Sequence, residues 1–348
     1  MLKEIDYMAR MTWQKINWYN TVFLLGTVVV TLTAVPVYLW HYGLSWFHAG
    51  LFLLFFILTG QSITMGYHRL FSHHAFQAAW PVRLLTLIFG AAAFENSALT
   101  WCADHRQHHK HTDHDEDPYD ISKGFFHAHM GWIMFKLGQP PVFACVPDLE
   151  RDPLVRWQHK YYVVIGLLAG FVLPAVLGWF WGGGEAALGA FLIAGVARTV
   201  FVHHSTFFIN SLCHTLGTQP YSDRCTARDS WFMAFFTFGE GYHNFHHAFQ
   251  HDYRNGVKAW QFDPTKWTIW LCSKLGLASQ LRRVPDERIR HAEITEQQRQ
   301  LAAKMAQLPA ATIAPVRAQV EAVQARLHEA FERWETLEIE YRRTMEKK

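Results

Sequence analysis

The sequence predicts an all-α integral membrane protein, with four transmembrane helices and a helical cap gathered on one side of the bilayer. Three observations carry this reading. Aromatic residues make up 16% of the 348 residues and charged residues only 18%, against roughly 25% charged in ordinary soluble chains. Four segments each supply about 20 largely apolar residues, enough to cross a bilayer as a helix. The two short joins inside successive pairs, His41–Phe47 and Gly182–Glu185, hold no Lys or Arg, whereas the other connections hold many.

The first span is expected at residues 21–40, the second at 48–66, the third at 162–181 and the fourth at 186–208. Pro36 and Pro174 fall inside such segments; they suit membrane helices, whose neighbours satisfy the freed backbone groups. Trp18, Tyr19, Trp40, Tyr42, Trp46, Trp179 and Trp181 sit at the expected ends, as interfacial aromatic residues do. Lys3, Arg10 and Lys15 precede the first span, seven basic residues from Arg106 to Lys160 separate the second and third, and Arg224, Arg228 and Arg254 follow the fourth. The positive-inside rule then places both termini and the middle segment in the cytoplasm. The expected setting is a bacterial inner membrane. Met1–Trp18 mixes acids and bases and no small-residue cleavage site follows, so no cleaved signal peptide is expected.

A fifth apolar stretch, residues 81–102, contains Arg83, Glu95 and Asn96, and reads as a helix at the interface or on the cap. Residues 125–135 and 267–275 read as shorter amphipathic helices of the same kind. From Pro285 onward the chain turns rich in Glu, Arg, Gln and Ala, with a break at Leu308-Pro309. Residues 1–284 are thus expected to form the membrane domain, and 285–348 a charged helical tail or hairpin. The net charge of +3 is too small to suggest nucleic acid. Five cysteines form no C-x-x-C pair, which fits reduced thiols facing the cytosol.

Chemistry is carried by the histidines. Gly239–His247 reads Gly-Glu-Gly-Tyr-His-Asn-Phe-His-His, and Asp104–His109 repeats its H-x-x-H-H spacing. Residues three and four apart share a helix face, so each motif is expected to aim three imidazoles at one point. His68 and His73 form a third cluster. Eight imidazoles exceed the four ligands of a closed zinc site and suggest two metals. Imidazole suits iron, whose chemistry with oxygen is accessible. The expected cap is therefore a helical cytoplasmic one holding a di-metal site. Isolated histidines (His41, His48, His127, His129, His159, His291) are expected to be polar residues at a wet boundary.

His68-Arg69-Leu70-Phe71-Ser72-His73, Asp104–His109 and Gly239–His247 resemble the three histidine boxes of the membrane fatty acyl desaturases, most closely the branch acting at carbon nine. Trp101-Cys102-Ala103, Thr112–Tyr119, Gly124-Phe125-Phe126, Gly131-Trp132 and Asp263–Trp267 extend the likeness over residues 15–280. The resemblance implies nine histidine ligands for two iron ions: His68, His73, His105, His108, His109, His214, His243, His246 and His247. It implies that Asn210 reaches a metal through water, and that Asn96 and Trp101 lie near the substrate entrance. Glu95, Asp104 and Glu240 are expected to orient imidazoles; His74, His111 and His114 are assigned to the surface or to such a supporting layer. Phe52, Phe55 and Phe56 on the second span are expected to limit acyl chain length.

The implied activity inserts a cis double bond into a saturated long-chain acyl group, using O2 and two electrons. The sequence shows no flavin, nicotinamide or haem motif, so a separate donor is expected: a ferredoxin, a cytochrome b-type carrier or a reductase. Animal acyl-CoA members carry Arg where this chain has Ala103, which leaves acyl groups on phospholipid open beside acyl-CoA. Two other readings exist. A hydroxylase or ketolase of the same superfamily uses similar boxes. A metal transporter would line several spans with charge, whereas Arg198 is the one such residue well inside a span.

Overall fold

The computed structural model describes residues 2–138, 140–307 and 310–346. Helix α1 (Leu2–Arg10) leads to α2 (Trp18–Tyr42), which ends where Gly43 adopts φ +70°. Helix α3 (Trp46–Ser72) starts at Ser45, whose hydroxyl accepts from the His48 amide at 3.3 Å. Two helices then meet at a corner: α4 (Trp80–Ala91) and α5 (Ala98–His111), the latter capped by the Ser97 hydroxyl. Helix α6 (Pro153–His214) follows, capped by Asp152. Then come α7 (Trp231–Phe236), α8 (His243–Ala248) and α9 (Pro264–Lys274). Gln77–Ala78 pairs antiparallel with Ala278–Ser279.

Among the described residues three helices, α2, α3 and α6, are long and apolar enough to cross a membrane. The expected third and fourth spans are both contained in α6. A straight helix of 62 residues would reach about 93 Å, three bilayer cores. It bends instead: Gly182 has φ −159° and Gly183 φ +71°, outside helical values. The two limbs fold back on each other, and a Cβ on Gly178 would lie 2.5 Å from the Ala186 carbonyl oxygen. Small residues permit that approach. Helix α2 is 11% buried over its apolar window. Its exposed Val22, Val29 and Leu32 form an apolar surface of the kind soluble monomers rarely show.

The expected fifth helix is not continuous. The chain leaves the helix after Ala91 and turns through Phe94 (φ +59°) and Asn96 (φ +84°) before α5. Arg198, fully buried on α6, fastens this corner by donating to the carbonyls of Ala92, Gly170 and Ala194. Residues 125–134 wind as one short helix, as expected, in π register over His127–Gly131 and α register over Trp132–Met134. His48, His127 and His129 are buried rather than at a wet boundary; His48 bridges Ser45 and the Ala186 carbonyl instead.

The last 11 residues of α3, Ser62–Ser72, wind in π register. Five residues of α-helix would place His68 and His73 about 140° apart. Here the His73 amide donates to the His68 carbonyl at 3.1 Å, the i→i+5 bond of a π-turn. The two rings consequently share a face, 4.8 Å apart. Arg106 on α5 locks this end in place: it donates to the Phe71 and Ser72 carbonyls and pairs with Asp148.

By contacts the chain divides into Met1–Gln219 with Arg224–Arg283, and Pro220–Asp223 with Val284–Lys348. In the second unit, α10 (Asp286–Ala306) and α11 (Ala310–Glu346) form the tail. Arg299 pairs there with Asp223 and Glu296, and the His291 ring meets Phe331. The break at Leu308-Pro309 lies outside the described residues.

Candidate metal centre

All nine histidines singled out in the sequence converge, in two groups. His68, His73, His105, His109 and His246 form one; His108, His214, His243 and His247 form the other. Within each group every donor nitrogen lies within 4.8 Å of the rest. The groups adjoin, with the His109 and His247 rings stacked at 4.3 Å.

The expectation that each H-x-x-H-H motif aims at one point does not hold. His105 and His109, four apart on α5, serve one group while His108 serves the other; on α8, His243 and His247 stay together and His246 crosses over. The reason is angular. Positions four apart deviate by about 40° from alignment, and the third position by about 60° to the other side. Each motif therefore straddles both groups and ties them together.

The ring nitrogens fit cations. Nε2 faces Nε2 at 3.0 Å for His68–His246, 2.8 Å for His73–His105 and 3.1 Å for His214–His243. Meanwhile several Nδ1 atoms face acceptors. His68 Nδ1 lies 2.9 Å from Glu240 Oε2, His108 Nδ1 2.9 Å from Asp117, and His214 Nδ1 2.8 Å from Thr226 Oγ1. A proton held on Nδ1 leaves the Nε2 lone pair pointing inward, the arrangement of metal-bound imidazole. Burial, followed by the neighbouring imidazoles, holds His73, His105, His109, His243, His246 and His247 well below the usual histidine range. Neutral rings whose lone pairs converge form a donor set suited to two metal ions.

Local backbone explains how α8 reaches this point. Gly239 takes φ +101°, beside Asp263. A Cβ on Gly241 would lie 2.1 Å from the Ala234 amide nitrogen. The Gly-Glu-Gly lead-in is thus a close backbone crossing, and Glu240 between the glycines is turned inward, 2% exposed.

Glu240 is one imidazole partner, and it pairs with Arg69 at 2.8 Å. Burial opposes its ionisation, but Arg69 and His68 outweigh that and hold its carboxyl below the usual range. Among the described residues, Glu95 and Asp104 make no hydrogen bond to an imidazole. Glu95 Oε1 accepts from Thr206 at 2.7 Å, and Oε2 is buried without a partner. Burial raises Glu95 to about 8 and Asp104 to about 7. The sequence reading missed Asp117, Asp113 with Thr226, and Tyr119, whose hydroxyl lies 3.4 Å from His105 Nδ1. Three of these lie in Thr112–Tyr119, directly after the second histidine motif; that density of acids was the available signal.

A cavity of about 530 Å³ adjoins both groups, within the range of small-molecule sites. His68, His105, His108 and His243 line it, with Glu95, Asn96, Trp101, Asp104 and Asn210. Trp101 stacks on His105 at 4.8 Å. A hollow of about 10 Å³ shares Thr64, Thr206 and Ile209 with the cavity, and Phe56, Gly60 and Phe238 close it. Phe52 stacks behind Phe56 at 6.1 Å and lines neither space. Phe55 packs elsewhere, against Leu51, Ala190 and Ala194.

A family model described as fatty acid desaturase matches residues 44–271, which contain every one of these histidines. The chain belongs to the fatty acid desaturase family. Among curated proteins, this desaturase-family chain is 41% identical over 303 residues to acyl-CoA desaturase 1 of Saccharomyces cerevisiae, covering 85% of this chain and 57% of that one. It is 37% identical over 306 residues to a probable acyl-CoA desaturase of Schizosaccharomyces pombe, covering 86% and 62%. An sn-1 stearoyl-lipid 9-desaturase of Anabaena variabilis is 35% identical over 282 residues, covering 79% and 97%. The chain therefore spans about three fifths of the two fungal proteins' length.

Proposed function

We propose that the protein is a membrane fatty acyl desaturase that places a cis double bond, at carbon nine, in a saturated long-chain acyl group. The single observation that carries this is the meeting of two histidine groups, mostly buried, at the wall of a largely apolar cavity of about 530 Å³. In this reading His68, His73, His105, His109 and His246 hold one iron. His108, His214, His243 and His247 hold the other, with Asn210 facing it through water. Bound there, the two irons supply the O2 chemistry that removes two hydrogens from adjacent methylenes, with two electrons and two protons from outside, giving the alkene and two waters.

The chain's own residues position and shield. Trp101, flat on His105, walls the acyl chain beside the donors. Glu95, favoured in its neutral form near pH 7, adds no lasting charge to an apolar wall. Asn96 turns its backbone at the same corner and, with Trp101, is assigned to the approach of the acyl head. Phe56 closes the far hollow with Phe52 behind it, and so sets tail length. Alignment of one methylene pair with the metals, rather than acid–base chemistry, then selects the bond.

The fold is read as four transmembrane helices, counting the limbs of α6 separately, with a cytoplasmic cap that carries the metal centre. Basic residues flank the spans on the cap side only. The electron donor is a separate protein: a ferredoxin, a cytochrome b-type carrier or a reductase. Acyl-CoA is the proposed substrate, in line with the names of the two fungal relatives; acyl groups on phospholipid, as the cyanobacterial relative's name indicates for that protein, are the other outcome. The test is expression in a host lacking unsaturated fatty acids, with products read by mass spectrometry, and membranes supplied with labelled acyl-CoA or labelled phospholipid. Saturated or hydroxylated chains alone would refute desaturation.

A further inference from the structure

The two histidine groups look alike in their rings and differ in the charge behind them. Behind the five-histidine group stands Glu240, and its carboxylate is shared. Oε2 faces His68 Nδ1 at 2.9 Å, while Oε1 accepts from Arg69 Nε at 3.1 Å and Nη2 at 2.8 Å. The guanidinium is 1% exposed and also pairs with Asp263 at 3.0 Å. A fixed cation, held between Glu240 and Asp263, is thus buried directly behind the carboxylate that lies against His68.

Behind the four-histidine group the carboxylates stand without a cation. Asp117 holds His108 Nδ1 at 2.9 Å from both oxygens, and its other partners are the backbone amides of Asp113 and Tyr119. Asp113 accepts from Thr226 Oγ1 at 2.7 Å, which in turn contacts His214 Nδ1 at 2.8 Å. Among the described residues no Lys or Arg pairs with Asp113 or Asp117.

In a buried site these charges are screened less than they would be in water. An uncompensated carboxylate draws the Nδ1 proton toward itself and makes Nε2 a stronger donor to a metal. A carboxylate shared with a guanidinium does so less. We propose that the two groups hold their metals unequally: the four-histidine group, with fewer donors, binds more tightly, and Arg69 is the positioning residue that loosens the five-histidine group. The inference rests on the two-metal reading above.

The test uses full-length protein in detergent, loaded with ⁵⁷Fe and followed by Mössbauer spectroscopy during slow removal of iron by a chelator. Asp117→Asn and Arg69→Gln assign the signals, since each alters the doublet of the group behind which it stands. The expected result is that the doublet altered by Arg69→Gln disappears first in the unsubstituted protein, about tenfold faster than the other, the lower end of what such supporting contacts contribute to metal affinity. Arg69→Lys, which keeps the charge, should preserve the order; Arg69→Gln should narrow the gap. Should Arg69→Gln not fold, Asp117→Asn alone decides, by identifying the doublet that ought to persist. Equal loss of both doublets, or earlier loss of the one altered by Asp117→Asn, overturns the inference and leaves two-metal binding intact. A chain that takes up no iron overturns both.

Discussion

Replacing Phe56 by Ala should lengthen the acyl chain that the protein prefers. The hollow that Phe56 closes measures about 10 Å³, at the lower limit of what holds one water, so no methylene enters it. Its other stopper, Phe238, lies 5.2 Å away ring to ring and sits against Gly60, where even a Cβ would meet it at 2.2 Å. Removing the phenyl of Phe56 frees room for two methylenes in line with the cavity, through the shared walls Thr64, Thr206 and Ile209. Each methylene taken from water contributes about 0.8 kcal/mol. Two contribute about 1.6 kcal/mol, or about fifteenfold in relative kcat/KM for the longer substrate. Competition between saturated acyl-CoA substrates differing by two carbons, with products quantified by mass spectrometry, reads this ratio directly. A ratio within twofold of that of the unsubstituted protein would refute the reasoning. Phe55→Ala is the control: that ring packs on Leu51, Ala190 and Ala194, and its loss should lower stability without moving the ratio.

Three further outcomes follow from the site. Glu240→Gln removes the carboxylate charge 2.9 Å from His68 Nδ1 and should weaken iron retention about 10–100-fold by chelator competition, while the remaining pair with Asp263 keeps Arg69 from becoming an isolated buried charge; unchanged retention would show that Glu240 does not support a metal ligand. Burial raises Glu95 to about 8, so its contribution to stability is full below about pH 4.5 and is lost as pH rises to about 8. The thermal midpoint in detergent should therefore fall across that window and fall less in Glu95→Gln; parallel curves would contradict the assignment. Gly241→Ala drives a methyl into the backbone of Met233 and Ala234, and overpacking of this kind costs about 1–3 kcal/mol. It should lower the thermal midpoint and the iron content together, and a normal iron content would separate the crossing from the centre.

How far the sequence revealed this molecule depended on whether the signal was local. The apolar runs of α2, α3 and α6 were visible because a bilayer demands length and composition, both of which a linear chain displays. The meeting of His68, His105 and His246 was legible only as a count of imidazoles, since their convergence depends on how helices cross. The reversal at Gly182-Gly183 was expected from a short join without Lys or Arg, yet the φ of +71° at Gly183 is a property of backbone, not composition. Angular reasoning failed where three histidines were assumed to share one target: alignment at three and four residues is approximate, and a centre with two targets uses the difference. The supporting acids divided by the same logic. Glu240 adjoins its motif and was singled out, whereas Asp117 works nine residues beyond His108 because the chain turns back after α5.

The π-wound end of α3 has a consequence for anyone wishing to re-engineer the protein. The same eleven residues that carry His68 also contribute Ile63 and Thr64 to the cavity wall. Pocket shape and metal donor are therefore not separable parts. A substitution at Thr64 chosen to admit a different acyl tail acts on a wide-register coil whose relaxation to ordinary helix would swing His68 off its partners. Libraries aimed at substrate range should accordingly meet losses of iron at this segment more often than at Ile209 or Phe238, which shape the same space from ordinary helix and from loop. Selectivity is more safely altered from those walls.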